Sequence, residues 1–291
     1  MASRSIKNRP SIKKKRPFVG LLAFLSIIAA ICLAGCIGVV VLGDSWIGDL
    51  KTYDVSEVSE LNTSAPTTVL ASDEQTQLAR FQVENREPVE LSGISKYVMQ
   101  GTVATEDERF YDHGGFDLVG IARAAFVTLT GSGREGASTI TQQLVKNITG
   151  DDVQSPARKI REIFRAMELE QNYSKDEILE NYLNYIGFGG PINGVQLASQ
   201  KYFGKDVSEL DIAEAASLAA IPKSPNTLNP FAGYEDEATG EFINTGKEDN
   251  KARQKYVLLQ MYDNGSITYD EYQAALNEEL IFTDSDEYQE T

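Results

Sequence analysis

Residues 104–147 hold the side chains whose types and spacing could do chemistry. The first part, 104–115, places acids beside two aromatic residues and the only histidine of the chain. The second part, 136–147, aligns five hydroxyl and amide side chains and then ends in a lysine and an asparagine. Surfaces that are merely solvated seldom alternate acids with aromatic residues. The two parts therefore predict a site for an anionic, hydroxyl-rich substrate.

Glu106 is the sharpest catalytic candidate in this segment. Its carboxylate comes shortly before Phe110 and Tyr111, and partial removal from water would suit it to proton transfer. The alternative is that the acidic run is solvated surface, which is the usual position of acids. His113 is more simply explained as a structural residue that holds a loop by a ring hydrogen bond.

A basic group follows farther along the chain. Lys146, Arg158, Lys159 and Arg161 form the densest group of cations outside the N-terminal tail. Such cations could surround a pyrophosphate and stabilise a departing anion by charge-assisted hydrogen bonds. Since residues four apart are neighbours on a helix, Arg158 and Glu162 could instead form an ordinary surface ion pair.

The charge is distributed unevenly along the chain. The formal net charge is −16, yet residues 1–43 hold seven bases and no acid. Removing those seven from the 27 bases leaves 20 against 43 acids, a net charge of −23 for residues 44–291. So acidic a body excludes general nucleic-acid binding, which needs a basic surface. Any bases that contact a phosphate must therefore be locally concentrated.

Cysteine and histidine usage limits the chemistry further. Both cysteines, Cys32 and Cys36, lie in an apolar N-terminal segment, so the rest of the chain has neither a disulfide framework nor a thiolate metal site. A single histidine excludes a metal centre built from several histidines. We assign no metal ligands, and a hard cation held by carboxylates is left open.

The N-terminal segment predicts a membrane anchor. Residues 1–17 are basic and polar, and in residues 18–42 Ser26 is the only polar side chain. As a helix, 18–42 would span roughly 37 Å, enough to cross a bilayer, and the basic tail places the N-terminus in the cytoplasm. The alternatives are a cleaved signal peptide or a lipoprotein processing site at 33–36. Both are disfavoured because apolar residues continue to Leu42.

The rest of the chain divides into four further parts. We predict, in order, a polar tether, a β-hairpin, a mainly helical domain and an acidic tail, at residues 43–66, 67–84, 85–282 and 283–291. β-prone runs on either side of a polar turn support the hairpin.

Several helix starts are visible within the helical domain. Ser155-Pro156 combines a capping serine with a proline in the first turn, and Ser174 and Thr268 each open a capping box. An alanine-rich helix is predicted from Ser208 to Pro222.

An apolar stripe at helical spacing lies within residues 118–129. Its members are Leu118, Ile121, Ala122, Ala125, Phe126 and Leu129, with Arg123 off the stripe. The pattern predicts either a helix that faces the core or, because an anchor would hold the domain at a membrane, a helix that dips into lipid.

Five segments of the chain resemble, in the same order, the motifs of one family. The segments are Glu106-Asp107-x-x-Phe110-x-x-His113-x-Gly115, Gly136-x-Ser138-Thr139-Ile140-Thr141-Gln142-Gln143-Leu144-x-Lys146-Asn147, Arg158-Lys159-x-x-Glu162, Lys175-x-x-Ile178-Leu179-Glu180-x-Tyr182-Leu183-Asn184, and a closing region from Ala198 to Pro230. They resemble the peptidoglycan glycosyltransferase family, which is the transglycosylase module of class A penicillin-binding proteins and of monofunctional peptidoglycan glycosyltransferases.

This resemblance implies a fold, an activity and a location. The fold would be mainly α, with a lysozyme-like helical large lobe and a small membrane-associated jaw lobe containing the 118–129 stripe, preceded by one transmembrane helix and a short β-hairpin. The activity would be polymerisation of lipid II into β-1,4-linked glycan strands, with release of undecaprenyl diphosphate. The protein would be single-pass in the cytoplasmic membrane, with the catalytic domain extracellular or periplasmic.

The resemblance also implies residue roles. Glu106 would be the general base, and Glu162 the second acidic residue of the site. The residues that bind phosphates or organise the site would be Arg123, Lys146, Arg158 and Arg161. The residues that shape the sugar sites would be Asp107, Phe110, Ser138 and Gln143.

The implied partners are lipid II, the growing glycan strand, membrane lipid and other cell-wall synthesis or division proteins, with no nucleic acid. No cofactor is assigned, and a divalent cation such as Mg²⁺ or Mn²⁺ at the diphosphate is left open.

The chain departs from the family pattern in places. Gln154 stands where many relatives carry an arginine, and Gly114-Gly115 stands where His-Gly is common. No Ser-x-x-Lys motif of a penicillin-binding domain occurs after the basic tail, so we expect either a monofunctional enzyme or a shortened bifunctional one. The alternative functions are lytic, muramidase-like cleavage of glycan, or an inactive membrane-tethered scaffold.

Overall fold

The computed structural model of the protein describes residues 67–70, 77–81, 86–130, 136–150, 155–236 and 238–285. The predicted basic tail, transmembrane helix and tether lie outside these residues, as do Gln154 and most of the acidic tail. Within the described ranges no helix has the length and apolarity needed to span a membrane.

Helices make up most of the described residues, which confirms the mainly α fold. The α-helices are α1 Lys96–Glu106, α2 Leu118–Thr130, α3 Ile140–Thr149, α4 Pro156–Asn172, α5 Lys175–Tyr185, α6 Val195–Phe203, α7 Ile212–Ala220, α8 Pro225–Leu228, α9 Gly246–Asp263 and α10 Tyr269–Asn277. The strands are β1 Thr67–Leu70, β2 Gln77–Phe81, β3 Gly233–Glu235 and β4 Phe242–Asn244. β1 pairs antiparallel with β2, as predicted for the hairpin, and β3 pairs antiparallel with β4.

Side-chain caps set three of the helix starts that the sequence predicts. Ser155 accepts a hydrogen bond from the backbone N–H of Arg158 at 3.1 Å, and α4 begins at the proline between them. The capping boxes at Ser174 and Thr268 form with both of their hydrogen bonds. These predictions are confirmed, because a capping side chain satisfies backbone donors that the first turn leaves unpaired.

The predicted start of the alanine-rich helix at Ser208 is wrong. Residues 207–209 form a short 3-10 turn, and α7 begins only at Ile212. Asp211 is the cap, since its carboxylate accepts the Glu214 N–H at 2.9 Å. Ser208 and Asp211 are both residue types that cap helices, and the helix begins after Asp211.

The core places the C-terminal end of α1. Helix α7 packs against both α1 and α9, and Gly101 of α1 lies at this crossing. A Cβ atom at Gly101 would lie 3.3 Å from side-chain atoms of Ala219, Val257 and Met261. A larger side chain would therefore push α1 away from the core, because packed interiors leave little room for added methyl groups.

Helix α2 presents its apolar residues to the outside. Leu118, Phe126 and Leu129 are 67%, 68% and 86% exposed, respectively. The core-facing alternative for the 118–129 stripe is therefore wrong. An exposed apolar helix needs a partner other than the protein's own core.

We expect Glu278, just after α10, to make stability depend on pH. Partial burial and the nearby carboxylates of Asp211 and Glu214 raise the pKa of Glu278 to about 7. The folded state then binds this proton more tightly than the unfolded state, so stability falls as pH rises from the usual carboxyl range through about 7. Glu278→Gln should be the more stable protein above pH 7, by less than about 1 kcal/mol because the group is largely exposed.

Thermal unfolding between pH 5 and pH 8 would measure this difference, with Glu279→Gln as the matched control. Equal gains from the two substitutions would contradict the assignment to Glu278.

Candidate active site

Glu106 is the last residue of α1, and its carboxylate is half-buried. One carboxylate oxygen accepts a hydrogen bond from Nε2 of Gln143, on α3, at 2.9 Å. The helix crossing at Gly101 sets the position of α1, and the amide sets the position of the carboxylate. Glu106 is therefore held by two elements that are far apart in sequence.

Asp107 ties the loop after α1 to the start of α3. It is 7% exposed, and it accepts hydrogen bonds from the Ile140 N–H at 3.0 Å and from Nε2 of His113 at 2.9 Å. A carboxylate is favourable at a helix N-terminus, where backbone N–H groups point outwards. The prediction that His113 holds a loop by a ring hydrogen bond is confirmed.

Gly115 lets the same loop approach α4 closely. Its φ is +87°, and a Cβ atom there would lie 2.7 Å from backbone atoms of Ala166. Its carbonyl oxygen accepts hydrogen bonds from Thr139 Oγ1 at 2.9 Å and from Gln142 Nε2 at 3.0 Å. Only glycine combines this backbone conformation with this approach.

Glu162 lies on α4 and is 5% exposed. One carboxylate oxygen pairs with Arg158 and the other pairs with Lys159. The Lys159 ammonium also donates to Ser138 Oγ and to Gln142 Oε1, each at 2.7 Å. The alternative of an ordinary surface ion pair between Arg158 and Glu162 is wrong, because the carboxylate is buried and shared between two cations.

One cavity of about 310 Å³ brings the two glutamates together. Its lining holds four cationic side chains and two carboxylates, at Lys146, Arg158, Lys159, Lys223, Glu106 and Glu162. Thr105, Gly136, Ser138, Gln143 and Pro222 complete the lining. The cavity is therefore locally positive within a strongly acidic body, which suits an anion with several oxygens.

A second cavity, of about 160 Å³, adjoins the first at Glu106. The two cavities share Glu106, Ser138 and Lys223 among their lining residues. The second cavity also contains Arg123 and Arg253. Glu106 is thus accessible from two adjoining spaces that differ in their polar groups.

Most of the residues assigned from the sequence line the first cavity. Asp107 lines the second cavity instead, and Phe110 is fully buried in the core. Arg123 lies in the second cavity, where it pairs with Glu108 at 2.8 Å. Arg161 is half-buried and outside the linings of both cavities.

Four basic residues of the two cavities are absent from the site residues that the resemblance assigns. Arg109 lies within the first motif and pairs with Asp117. Lys159 belongs to the predicted basic group and is adjacent to Arg158, so its position alone could have identified it. Lys223 follows the alanine-rich helix, and Arg253 lies on α9. Neither has a local pattern that marks it, because packing of distant elements brings it to the site.

No group of three or more histidine, cysteine, aspartate or glutamate side chains is placed to hold a metal ion in the part of the chain that the structure describes. Glu162 is paired with two cations. We assign no metal ligands.

Comparison with known proteins identifies the family. The transglycosylase family matches residues 74–262, well over half of the chain. Penicillin-binding protein 1A of Vibrio cholerae is 41% identical over 78% of this chain and 26% of that protein. Penicillin-binding protein 1F of Bacillus subtilis is 38% identical over 88% of this chain and 33% of that protein.

Penicillin-binding protein 1A of Escherichia coli is 39% identical over 78% of this chain and 25% of that protein. The chain thus spans about a quarter to a third of the length of these relatives. A crystal structure of penicillin-binding protein 1A from Haemophilus influenzae aligns with 75% of this chain and 21% of that chain, at 22% identity and a TM-score of 0.40. Because the family match covers more than half of the chain, this chain belongs to the transglycosylase family, the peptidoglycan glycosyltransferase module that its motifs predict.

Proposed function

We propose that this chain polymerises lipid II into β-1,4-linked glycan strands and releases undecaprenyl diphosphate. One observation supports this best: Glu106 and Glu162 line the same cavity as four cationic side chains, in a body that is otherwise strongly acidic. A proton acceptor and a set of fixed cations are the two groups that expulsion of a diphosphate by a sugar hydroxyl requires.

In the proposed reaction Glu106 accepts the proton of the acceptor's 4-hydroxyl group. The oxygen forms a bond to the anomeric carbon of the donor sugar, and the bond from that carbon to the diphosphate oxygen breaks. The diphosphate leaves with the bonding electron pair, and the attack inverts the anomeric centre. The charge that develops on the leaving group would be stabilised by Lys146, Arg158 and Lys223.

Glu162 has a different task in this proposal. Its buried carboxylate pairs with Arg158 and Lys159, so it keeps two cations in a fixed geometry before substrate arrives. Preorganised charges need not reorient during the reaction, which is the main source of electrostatic catalysis. The acceptor sugar would approach Glu106 from the second cavity, because the first is occupied by the diphosphate.

The decisive experiment is incubation of the full chain with labelled lipid II, followed by gel separation of the products. A ladder or smear of glycan polymer supports the proposal, and a phosphoglycolipid inhibitor of the moenomycin type should suppress it. Soluble fragments from finished sacculi, without polymer from lipid II, would support lytic cleavage instead. Lipid II binding with neither product would support the inactive scaffold.

We also propose that α2 contacts the membrane, as the jaw lobe of the family would. Arg123 is its only charged residue, and its large apolar side chains are exposed. An apolar helix surface of this kind inserts about 5–10 Å into the boundary between headgroups and acyl chains. The predicted anchor at 18–42, with a cytoplasmic N-terminus and the domain outside the cell, would hold α2 close to that surface.

A tryptophan probe on α2 would test the membrane contact. In full-length protein reconstituted into vesicles, with Trp46→Phe as the background, Leu129→Trp should show blue-shifted emission and quenching by brominated lipid. Leu259→Trp is the matched control, because Leu259 is 40% exposed on α9. Equal quenching at the two positions, or none at position 129, would contradict the proposed insertion.

A further inference from the structure

A buried tyrosine lies behind the general-base candidate. Tyr182, on α5, is 0% exposed, and its hydroxyl donates a hydrogen bond to Gln143 Oε1 at 3.1 Å. The other end of the same amide, Nε2, donates to Glu106 at 2.9 Å. Two hydrogen bonds therefore connect α5, α3 and α1 in series and end at the carboxylate.

Tyr182 determines which end of the Gln143 amide faces Glu106. An amide can turn either its oxygen or its NH₂ group towards a neighbour, and only the hydrogen-bond partners decide between them. Within the described residues the Tyr182 hydroxyl makes this one hydrogen bond. If the amide reversed, the buried hydroxyl proton would have no acceptor, and the amide oxygen would face the Glu106 carboxylate.

The tyrosine also remains a donor at every working pH. Burial, together with the negative charges of Glu106 and Asp107, raises the pKa of Tyr182 well above its usual value. Its proton is therefore retained, and the direction of the two hydrogen bonds does not change with pH.

We infer that Tyr182 is a positioning residue for the reaction: it fixes the orientation of the Gln143 amide so that Nε2 donates to Glu106. The donated hydrogen bond holds the carboxylate at the cavity wall, where the acceptor hydroxyl would lie. The inference rests on the proposed function, in which Glu106 is the base. Tyr182 itself lines neither cavity.

Tyr182→Phe tests this role, since it removes the hydroxyl and keeps the ring. Without the hydroxyl the amide can reverse, so we expect kcat to fall about fivefold while KM stays within about twofold. In a Gln143→Ala background the same substitution should have no further effect on kcat, because Tyr182 acts only through that amide.

Tyr202→Phe is the matched control. Tyr202 is also buried, at 1% exposed, and its hydroxyl donates to the Phe188 carbonyl oxygen at 2.6 Å, away from both cavities. Thermal unfolding of both variants separates lost stability from lost positioning, and kcat should fall only for Tyr182→Phe.

Three results would overturn the inference while leaving the proposed function intact: an unchanged kcat in Tyr182→Phe, an equal loss in Tyr202→Phe, or additive losses in the double variant. Absence of polymer from the unsubstituted protein would instead overturn the proposed function and the inference with it.

Discussion

Glu106→Gln is expected to reduce polymerisation of lipid II by about 10²–10⁴-fold, the range that a positioned general base contributes. The new amide is nearly isosteric, and its oxygen can still accept the hydrogen bond that Gln143 donates at 2.9 Å. The cavity should therefore keep its shape and its cations, so binding of lipid II should remain close to that of the unsubstituted protein. Product gels and equilibrium binding would measure the two quantities separately.

Glu168→Gln is the matched control for this substitution. Glu168 is an exposed carboxylate on α4, outside the linings of both cavities, and its loss should leave turnover unchanged. If turnover of Glu106→Gln equalled that of the control, Glu106 would have no role as the base. If binding disappeared together with turnover, its role would be in substrate binding.

Lys159→Met is expected to lower kcat/KM by roughly 10²–10³-fold, the effect of removing one preorganised charge contact from an active site. The ammonium joins Ser138 and Gln142, each at 2.7 Å, to the buried carboxylate of Glu162. Without it Glu162 keeps only Arg158, so the cation that remains is held less firmly. The protein should also unfold at a lower temperature, because a buried carboxylate loses one of its two partners.

Lys205→Met separates these two effects. The Lys205 ammonium pairs with the buried carboxylate of Glu214 at 2.6 Å, outside both cavities. We expect a similar fall in unfolding temperature and no change in kcat/KM. If both variants lost activity in proportion to their stability, Lys159 would be a structural residue only.

The helix starts and the loop contact of His113 could be predicted from the sequence. The helix start at Ser155 and the capping boxes at Ser174 and Thr268 need only side chains within three or four residues of the helix start, so short patterns determine them. The role of His113 is equally local, because its partner Asp107 is six residues away. Motif order was sufficient to identify the family.

Properties that depend on packing could not be predicted in the same way. An apolar stripe has the same spacing whether it faces the core or the outside, so periodicity left the position of α2 open. Phe110 lies in a family motif, yet it is fully buried in the core and lines neither cavity. Lys223 and Arg253 reach the cavities only because α7 and α9 pack against α1.

Helix α3 positions both the proposed general base and the cations that would bind the diphosphate. Gln143 holds the base on α1, and the adjacent Gln142 holds Lys159, and through it Glu162, on α4. The spacing between the proton acceptor and the cations is thus a property of one short helix. A movement of other elements that changed access to the cavities would then leave the reacting groups aligned.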